Sequence, residues 1–219
     1  MTDQFSVAMI SVKLFTFGPF QENTYVLFNE TKDCIIIDPG CYEPNEKRQL
    51  ADFIESKNLK PVKLLNTHSH IDHILGNNFV AGKYKLILEM HELDVPLLKA
   101  APSYGQMWGI QAEPSPEPGV LLKEGDEVSF GNSKLKVIET PGHSAGSISF
   151  FNKETNFVIG GDVLFYGSIG RTDLPGGDFD TLIRSIKEKL FPLGDECKVY
   201  SGHGPATTIG FEKDNNPFL

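Results

Sequence analysis

The chain has 219 residues, 40% of them hydrophobic and sixteen of them Phe. That length suits one large domain with a real core, and that composition excludes a disordered chain. The formal net charge is −9 with Lys and Arg scattered, which excludes a nucleic-acid surface built on a basic patch but not a small anionic substrate met by a few local cations.

The opening Met-Thr-Asp-Gln has no basic region, and Asp3 and Lys13 interrupt any apolar stretch. No export leader is expected, and the expected location is the cytoplasm. No run approaches the ~18 apolar residues of a membrane span, so no membrane partner is expected. Residues 10–17 and 24–29 read as two strands joined at Gly18-Pro19. Ile35-Ile36-Ile37 is a β-branched run stopped by the turn Asp38-Pro39-Gly40, where Asp38 forms the turn and can also hold a neighbouring loop by hydrogen bonds. Leu50, Phe53 and Ile54 recur at helical spacing, predicting an amphipathic helix over 45–57. Val62–Leu65 reads as a buried strand, Ile74 to Val80 as a short helix, Lys85–Leu88 as another strand, and His91–Ala100 as a helix around Pro96.

Residues 101–119 carry Pro102, Pro114, Pro116 and Pro118 with Tyr104, Met107 and Trp108 and no clear period. They read as a long loop, a lid over a pocket or a plain surface covering. Strands follow at 128–130, 135–138, 147–151 and 157–159, separated by Gly-rich turns. Asp178 or Asp180 can cap a helix with Leu182, Ile183, Ile186 and Leu190 on one face. Val199-Tyr200 is a last strand running into His203. Two β-rich halves with helices fit two sheets packed face to face, helices outside. Cys34, Cys41 and Cys197 form no C-x-x-C pair and suggest inert buried thiols rather than disulfides.

Five of the six histidines fall where a metal site would need them. Thr67-His68-Ser69-His70-Ile71-Asp72-His73 packs three of them with a carboxylate behind an expected strand. His68 and His70 are two apart and can point the same way from extended chain, while Asp72 and His73 come where the chain turns into a helix. His143, Asp162 and His203 each follow an apparent strand in a Gly-rich turn, which lets backbone approach a metal closely. Imidazole and carboxylate suit zinc and iron. A lone histidine is as readily structural as ligating; His91, outside any such context, reads as structural.

The motif T-H-x-H-x-D-H at 67–73, followed by His143, Asp162 and His203, resembles the metallo-β-lactamase fold superfamily. So do Gly18–Asn23, Ile37–Gly40 and Gly161-Asp162. Within the superfamily the chain is similar to the short, single-domain glyoxalase II-like (hydroxyacylglutathione hydrolase-like) hydrolases. The resemblance implies an α/β fold, an αββα sandwich of two mixed sheets with helices outside, spanning residues 1–219 as a single domain. It implies two divalent metals, zinc first and iron or manganese as alternatives. His68, His70 and His143 would hold one, Asp72, His73 and His203 the other, and Asp162 would bridge them. It implies cleavage of a small-molecule thioester such as S-lactoylglutathione by metal-bound hydroxide, with Asp72 orienting the water or moving a proton. A monomer or small homo-oligomer is expected.

Full-length glyoxalase II enzymes carry a helical C-terminal region with glutathione-binding Lys and Arg, and only sixteen residues follow His203 here. Ser168–Gly177 and Gly204–Gly210 resemble loops of the short proteins instead. Arg171 is the candidate contact for an anionic substrate, set against a structural ion pair with Asp173 or Asp178. Two rival readings stand beside the hydrolase. Persulfide dioxygenases share the fold, the histidine cluster and a Gly-Arg-Thr-Asp loop like Gly170–Asp173, with one iron on the equivalents of His68, His143 and Asp162. A non-enzymatic metal-binding domain is the other, although a degenerate site is expected to lose ligands.

Overall fold

The computed structural model describes residues 9–219. The leader reading falls in part on residues 1–8 and lies outside the described residues. Among the described residues no helix is long and apolar enough to cross a membrane.

The first sheet has six strands in sequence order: β1 (Ser11–Phe17), β2 (Glu22–Phe28), β3 (Asp33–Ile37), β4 (Lys60–Leu65), β5 (Leu88–His91) and β6 (Pro118–Leu122). β1 to β3 form an antiparallel meander, and β3 to β6 run parallel through helical crossovers α1 (Pro44–Ser56), the short α2 (Ile71–Ile74), α3 (Asn77–Tyr84) and α4 (Val95–Met107). The second sheet begins with β7 (Glu127–Phe130), β8 (Ser133–Glu139), β9 (Ile148–Asn152) and β10 (Phe157–Gly161). A small hairpin of β11 (Leu164–Phe165) and β12 (Ser168–Ile169) follows, then α5 (Phe179–Ser185), β13 (Lys198–Ser201), β14 (Thr207–Thr208) and α6 (Ile209–Asn215). The second sheet's order is β14-β13-β10-β9-β8-β7.

Alternation along the strands explains the layers. Ile35 and Ile37 of β3 face inward with Tyr25, Leu27 and Leu65, against Val137, Phe150 and Ile159 of the second sheet. Ile36, between them, faces the opposite way with Val26, Cys34 and Leu64, and meets Leu50 and Ile54 of α1. The run Ile35–Ile37 is apolar throughout because both of its faces are covered. On the far side Val158 and Val199 pack under Leu182, Ile186, Leu190 and Ile209. The result is the αββα sandwich, an α/β fold.

Helix α1 begins where Pro44 fixes the backbone and Glu46 Oε2 accepts from the amides of Tyr42 (2.8 Å) and Glu43 (2.9 Å). Glu46 Oε1 also accepts from Gly18 N at 2.9 Å, tying the helix to the β1–β2 turn. Three expectations need correction. The strand expected at 85–88 lies at Leu88–His91, because Lys85 caps α3 in the left-handed region (φ 58) and Leu86 N still bonds back to Ala81. The helix expected over 91–100 starts at Val95 and runs on to Met107, so the first part of the expected loop is helical. Pro102 sits inside it: Leu98, Ala101 and Gly105 face the core, and that burial outweighs one missing backbone bond. The later prolines also concealed β6, an edge strand, where proline is tolerated.

Candidate metal centre

The strand ends bring seven side chains together. His68 and His70 leave β4 in extended chain, and Asp72 and His73 lie on α2. His143 follows β8, Asp162 follows β10, and His203 follows β13. Two glycines make the approach possible. Gly161 adopts φ 54, where the β10–β13 register shifts and turns Asp162 inward. A Cβ at Gly202 would overlap Asp162 Oδ1 and lie 2.7 Å from His73 Cε1.

The donors form two groups. In one, atoms of His68, His70 and His143 lie within 4.8 Å of one another, with His70 Nδ1 2.7 Å from His143 Nε2. In the other, Asp72 Oδ2 lies 3.1 Å from His203 Nε2 and 3.8 Å from His73 Nε2. Asp162 reaches both: Oδ2 is 3.5 Å from His143 Nε2 and from His203 Nε2, and Oδ1 is 3.4 Å from His73 Nε2. Nε2 of His68 and His73 and Oδ1 of Asp162 are buried with no hydrogen-bond partner. Buried polar atoms without partners are costly, and a cation is what this donor set would satisfy. The residues therefore fit divalent metals.

Most outer ring nitrogens are held. His143 Nδ1 donates to Arg171 O (2.8 Å) and His203 Nδ1 to Gln21 O (3.2 Å), which leaves Nε2 free to ligate. Thr67 Oγ1 donates to Asp38 Oδ2 (2.5 Å) and so accepts from His68 Nδ1 (3.1 Å). Asp38 Oδ2 also meets His73 Nδ1 at 3.2 Å, and Oδ1 accepts from Thr67 N at 2.7 Å. Asp38, at φ 49 in its turn, is thus both turn former and anchor of the cluster loop. Its oxygens are already engaged, so it is an orienting group rather than a ligand.

Sequence reasoning missed several supports. Asp94, fully buried, accepts from Ser69 N (2.8 Å), Ser144 Oγ (2.9 Å) and Gly146 N (2.7 Å), locking two ligand loops together. In sequence it reads only as one residue of the helix expected over 91–100. Asn23 and Tyr25 reach across to the other sheet: Asn23 Nδ2 donates to Ser201 O and Gly204 O, and Tyr25 OH to Ser201 O, fixing the His203 loop. Glu22 is buried behind His73, its Oε1 3.9 Å from His73 Nδ1. The signal for these three lay in the Gly18–Asn23 stretch and its continuation.

The electrostatics leave His68, His70 and both carboxylates in the state a metal needs, whereas His73 and His203 must give up a proton to ligate. Burial, helped by neighbouring histidines, holds His68 well below the usual imidazole range and pushes His70 down to about 3. Burial opposes the cations of His73 and His203 too, but the nearby carboxylates of Asp162 and Asp72 raise both. Burial likewise opposes charge on Asp162 and Asp72, and His73 beside them outweighs it and holds both low. The carboxylates are ionised, and two imidazoles of the first group are neutral.

Above the cluster opens a cavity of about 510 Å³, with His70, Asp72, His143, Asp162 and His203 on its floor. Phe20, Leu97, Tyr104, Trp108, Ile169 and Leu174 form much of its wall. Arg171 also lines it, but Nε and a terminal nitrogen each donate to Asp173 at 2.7 Å. The side chain proposed for an anionic substrate is therefore ion-paired, while its backbone carbonyl orients His143. His91 lies outside the cluster, its Nδ1 accepting from Leu93 N at 3.2 Å and its Nε2 3.3 Å from Glu139.

This sandwich with histidines and carboxylates at one edge is the frame of a metal-binding enzyme. The family model for the metallo-beta-lactamase superfamily matches residues 17–203, and the chain belongs to that superfamily. It is 41% identical to the probable metallo-hydrolase YqgX of Bacillus subtilis over 92% of this chain and 94% of that one. It is 35% identical to the hydroxyacylglutathione hydrolase GloC of Haemophilus influenzae over 96% of this chain and 98% of that one. Among solved structures, the B3 metallo-beta-lactamase BLEG-1 superposes with a TM-score of 0.88 at 37% identity, over 96% of this chain and 99% of that one. TTHA1623, solved in a di-iron-bound form, superposes with a TM-score of 0.86 at 38% identity, over 95% and 100%.

Proposed function

We propose that this protein is a thioester hydrolase of the hydroxyacylglutathione hydrolase kind, converting an acyl thioester and water to a carboxylic acid and a thiol. The observation that carries the reading is two donor groups joined by Asp162 on the floor of one cavity. His68, His70 and His143 would hold one divalent metal, Asp72, His73 and His203 a second, with Asp162 shared. The donor set contains only nitrogen and oxygen, which suits zinc, with iron and manganese as alternatives. When bound, such a pair lowers the pKa of water and supplies the nucleophile near neutral pH. The 35% identity to a hydroxyacylglutathione hydrolase supports the substrate class.

The chain's own residues do the rest. Asp72, ionised and facing the cavity, orients the attacking water and can hold its proton. His143 and His203 are fixed by backbone carbonyls, so the donors need no rearrangement when substrate arrives. A thiol, with a pKa of about 8.5, leaves as thiolate near neutral pH without a strong general acid. An amide nitrogen needs that acid, which favours a thioester over a β-lactam.

Thiol release from S-D-lactoylglutathione by protein loaded with zinc, iron or manganese tests the reading, with His68→Ala as control. Metal-dependent cleavage that the variant lacks is the expected result. No cleavage under any loading, or equal cleavage by His68→Ala, would refute it.

A further inference from the structure

The walls of the cavity say more about its ligand than the floor does. Phe20 and Trp108 meet edge to face, ring centroids 6.3 Å apart, at the mouth. Trp108 is 65% exposed and Phe20 37% exposed, a large aromatic surface facing water. Leu97, Tyr104, Ile169 and Leu174 continue the wall inward. The wall is not a loose flap. Beyond α4 the chain is fastened by Gln111 N to Tyr42 OH (3.2 Å), Asn78 Nδ2 to Glu113 (2.5 Å) and Asn77 Nδ2 to Ser115 Oγ (3.3 Å). Arg171 is the one Lys or Arg among the described lining residues, and both arms of its fork are taken by Asp173. A ligand carboxylate arriving here must compete with that pair, on a chain whose formal charge is already −9.

We infer that the cavity selects thioesters by an apolar, uncharged body laid against Phe20 and Trp108, and that the carrier's charged groups stay in solvent. This rests on the thioester-hydrolase reading and narrows its substrate class. Glutathione can then serve as a carrier without being recognised as glutathione, and an aromatic or branched acyl group close to the sulfur should bind better than a small polar one. Burying a phenyl ring against such a wall tightens binding by about tenfold or more.

Trp108 is the chain's only tryptophan and stands at the mouth, so its fluorescence reports binding without turnover. Four non-hydrolysable thioethers decide the question: S-methyl and S-benzyl derivatives of glutathione and of uncharged N-acetylcysteamine, titrated into metal-free and zinc-loaded protein. The benzyl group should tighten binding about tenfold or more on either carrier. Exchanging glutathione for N-acetylcysteamine should change affinity by less than that, and raising salt should not weaken the glutathione probes. Phe20→Ala, at an exposed position, should remove most of the benzyl advantage. A carrier exchange that costs more than the ring gains, or a ring advantage untouched in Phe20→Ala, would overturn the inference. Turnover is scored separately with the S-phenylacetyl thioester of N-acetylcysteamine. Binding in the expected pattern without thiol release would support this pocket assignment while refuting the hydrolase reading.

Discussion

Asp94 offers a test of how the metal groups are built. Its carboxylate accepts from Ser69 N, which lies between His68 and His70, and from Ser144 Oγ and Gly146 N, just after His143. Asp94→Ala leaves two buried amides and a hydroxyl without that acceptor. Each would cost about 1–3 kcal/mol if nothing replaced it. Burial raises the pKa of Asp94, so its desolvation already offsets part of what those bonds contribute, and the net loss should be about 2–4 kcal/mol. The effect on metal should be uneven. His68, His70 and His143 lose the clamp that sets them in register, so affinity there should fall about 10–100-fold. Asp72, His73 and His203 keep their own anchors, Asp38 and Gln21 O, and that group should hold its affinity. Asp94→Asn keeps one acceptor oxygen and the volume, and should show the same asymmetry with a smaller stability loss. Competition against a chromophoric chelator resolves the two affinities. Equal weakening of both groups, or none, would refute the clamp.

Other consequences follow from the same packing. Gly202→Ala should abolish metal-dependent activity while the protein still folds, because the new methyl group occupies the space of Asp162 Oδ1 and crowds His73; circular dichroism and metal content would check it. Stripping metal with a chelator should lower Tm, since only the folded chain assembles the donors; at a thousandfold excess over Kd the stabilisation is about 4 kcal/mol, and an unchanged Tm would count against the site. Burial pushes Cys34 and Cys41 up to about 12 and Cys197 to about 11, so none should react with a thiol reagent in native protein at pH 8 and all three should react after denaturation. The same shifts fix a sign. The folded chain keeps these protons where the unfolded chain, with thiols near 9, loses them, so their contribution to stability is full below pH 9 and is lost as pH rises towards 12. Unfolding midpoints at pH 8 and pH 10.5 would show it.

What was legible in the chain was what depends on local pattern. Ile35–Ile37 reads as a strand covered on both faces, and Leu50, Phe53 and Ile54 read as one face of a helix, because period alone carries that information. The close set of residues 67–73 was visible because one loop supplies it. Residues 101–119 misled because proline is a strong local signal, and α4 runs through Pro102 on the strength of tertiary burial that no window shows. Asp94 was invisible for a similar reason. A buried acceptor is defined by donors distant in sequence, as with Ser144 for Asp94. For Arg171 the neighbour won: Asp173, two residues on, fills the guanidinium fork that a substrate would need.

The proposed chemistry depends on two metals sharing Asp162. Anomalous scattering from crystals of zinc- or iron-loaded protein tests it directly. Two peaks are expected, one among His68, His70 and His143 and one among Asp72, His73 and His203, with an Asp162 oxygen at each. A single peak on His68, His143 and Asp162, with the second group empty at saturating metal, would contradict it and turn attention to one-iron oxygen chemistry.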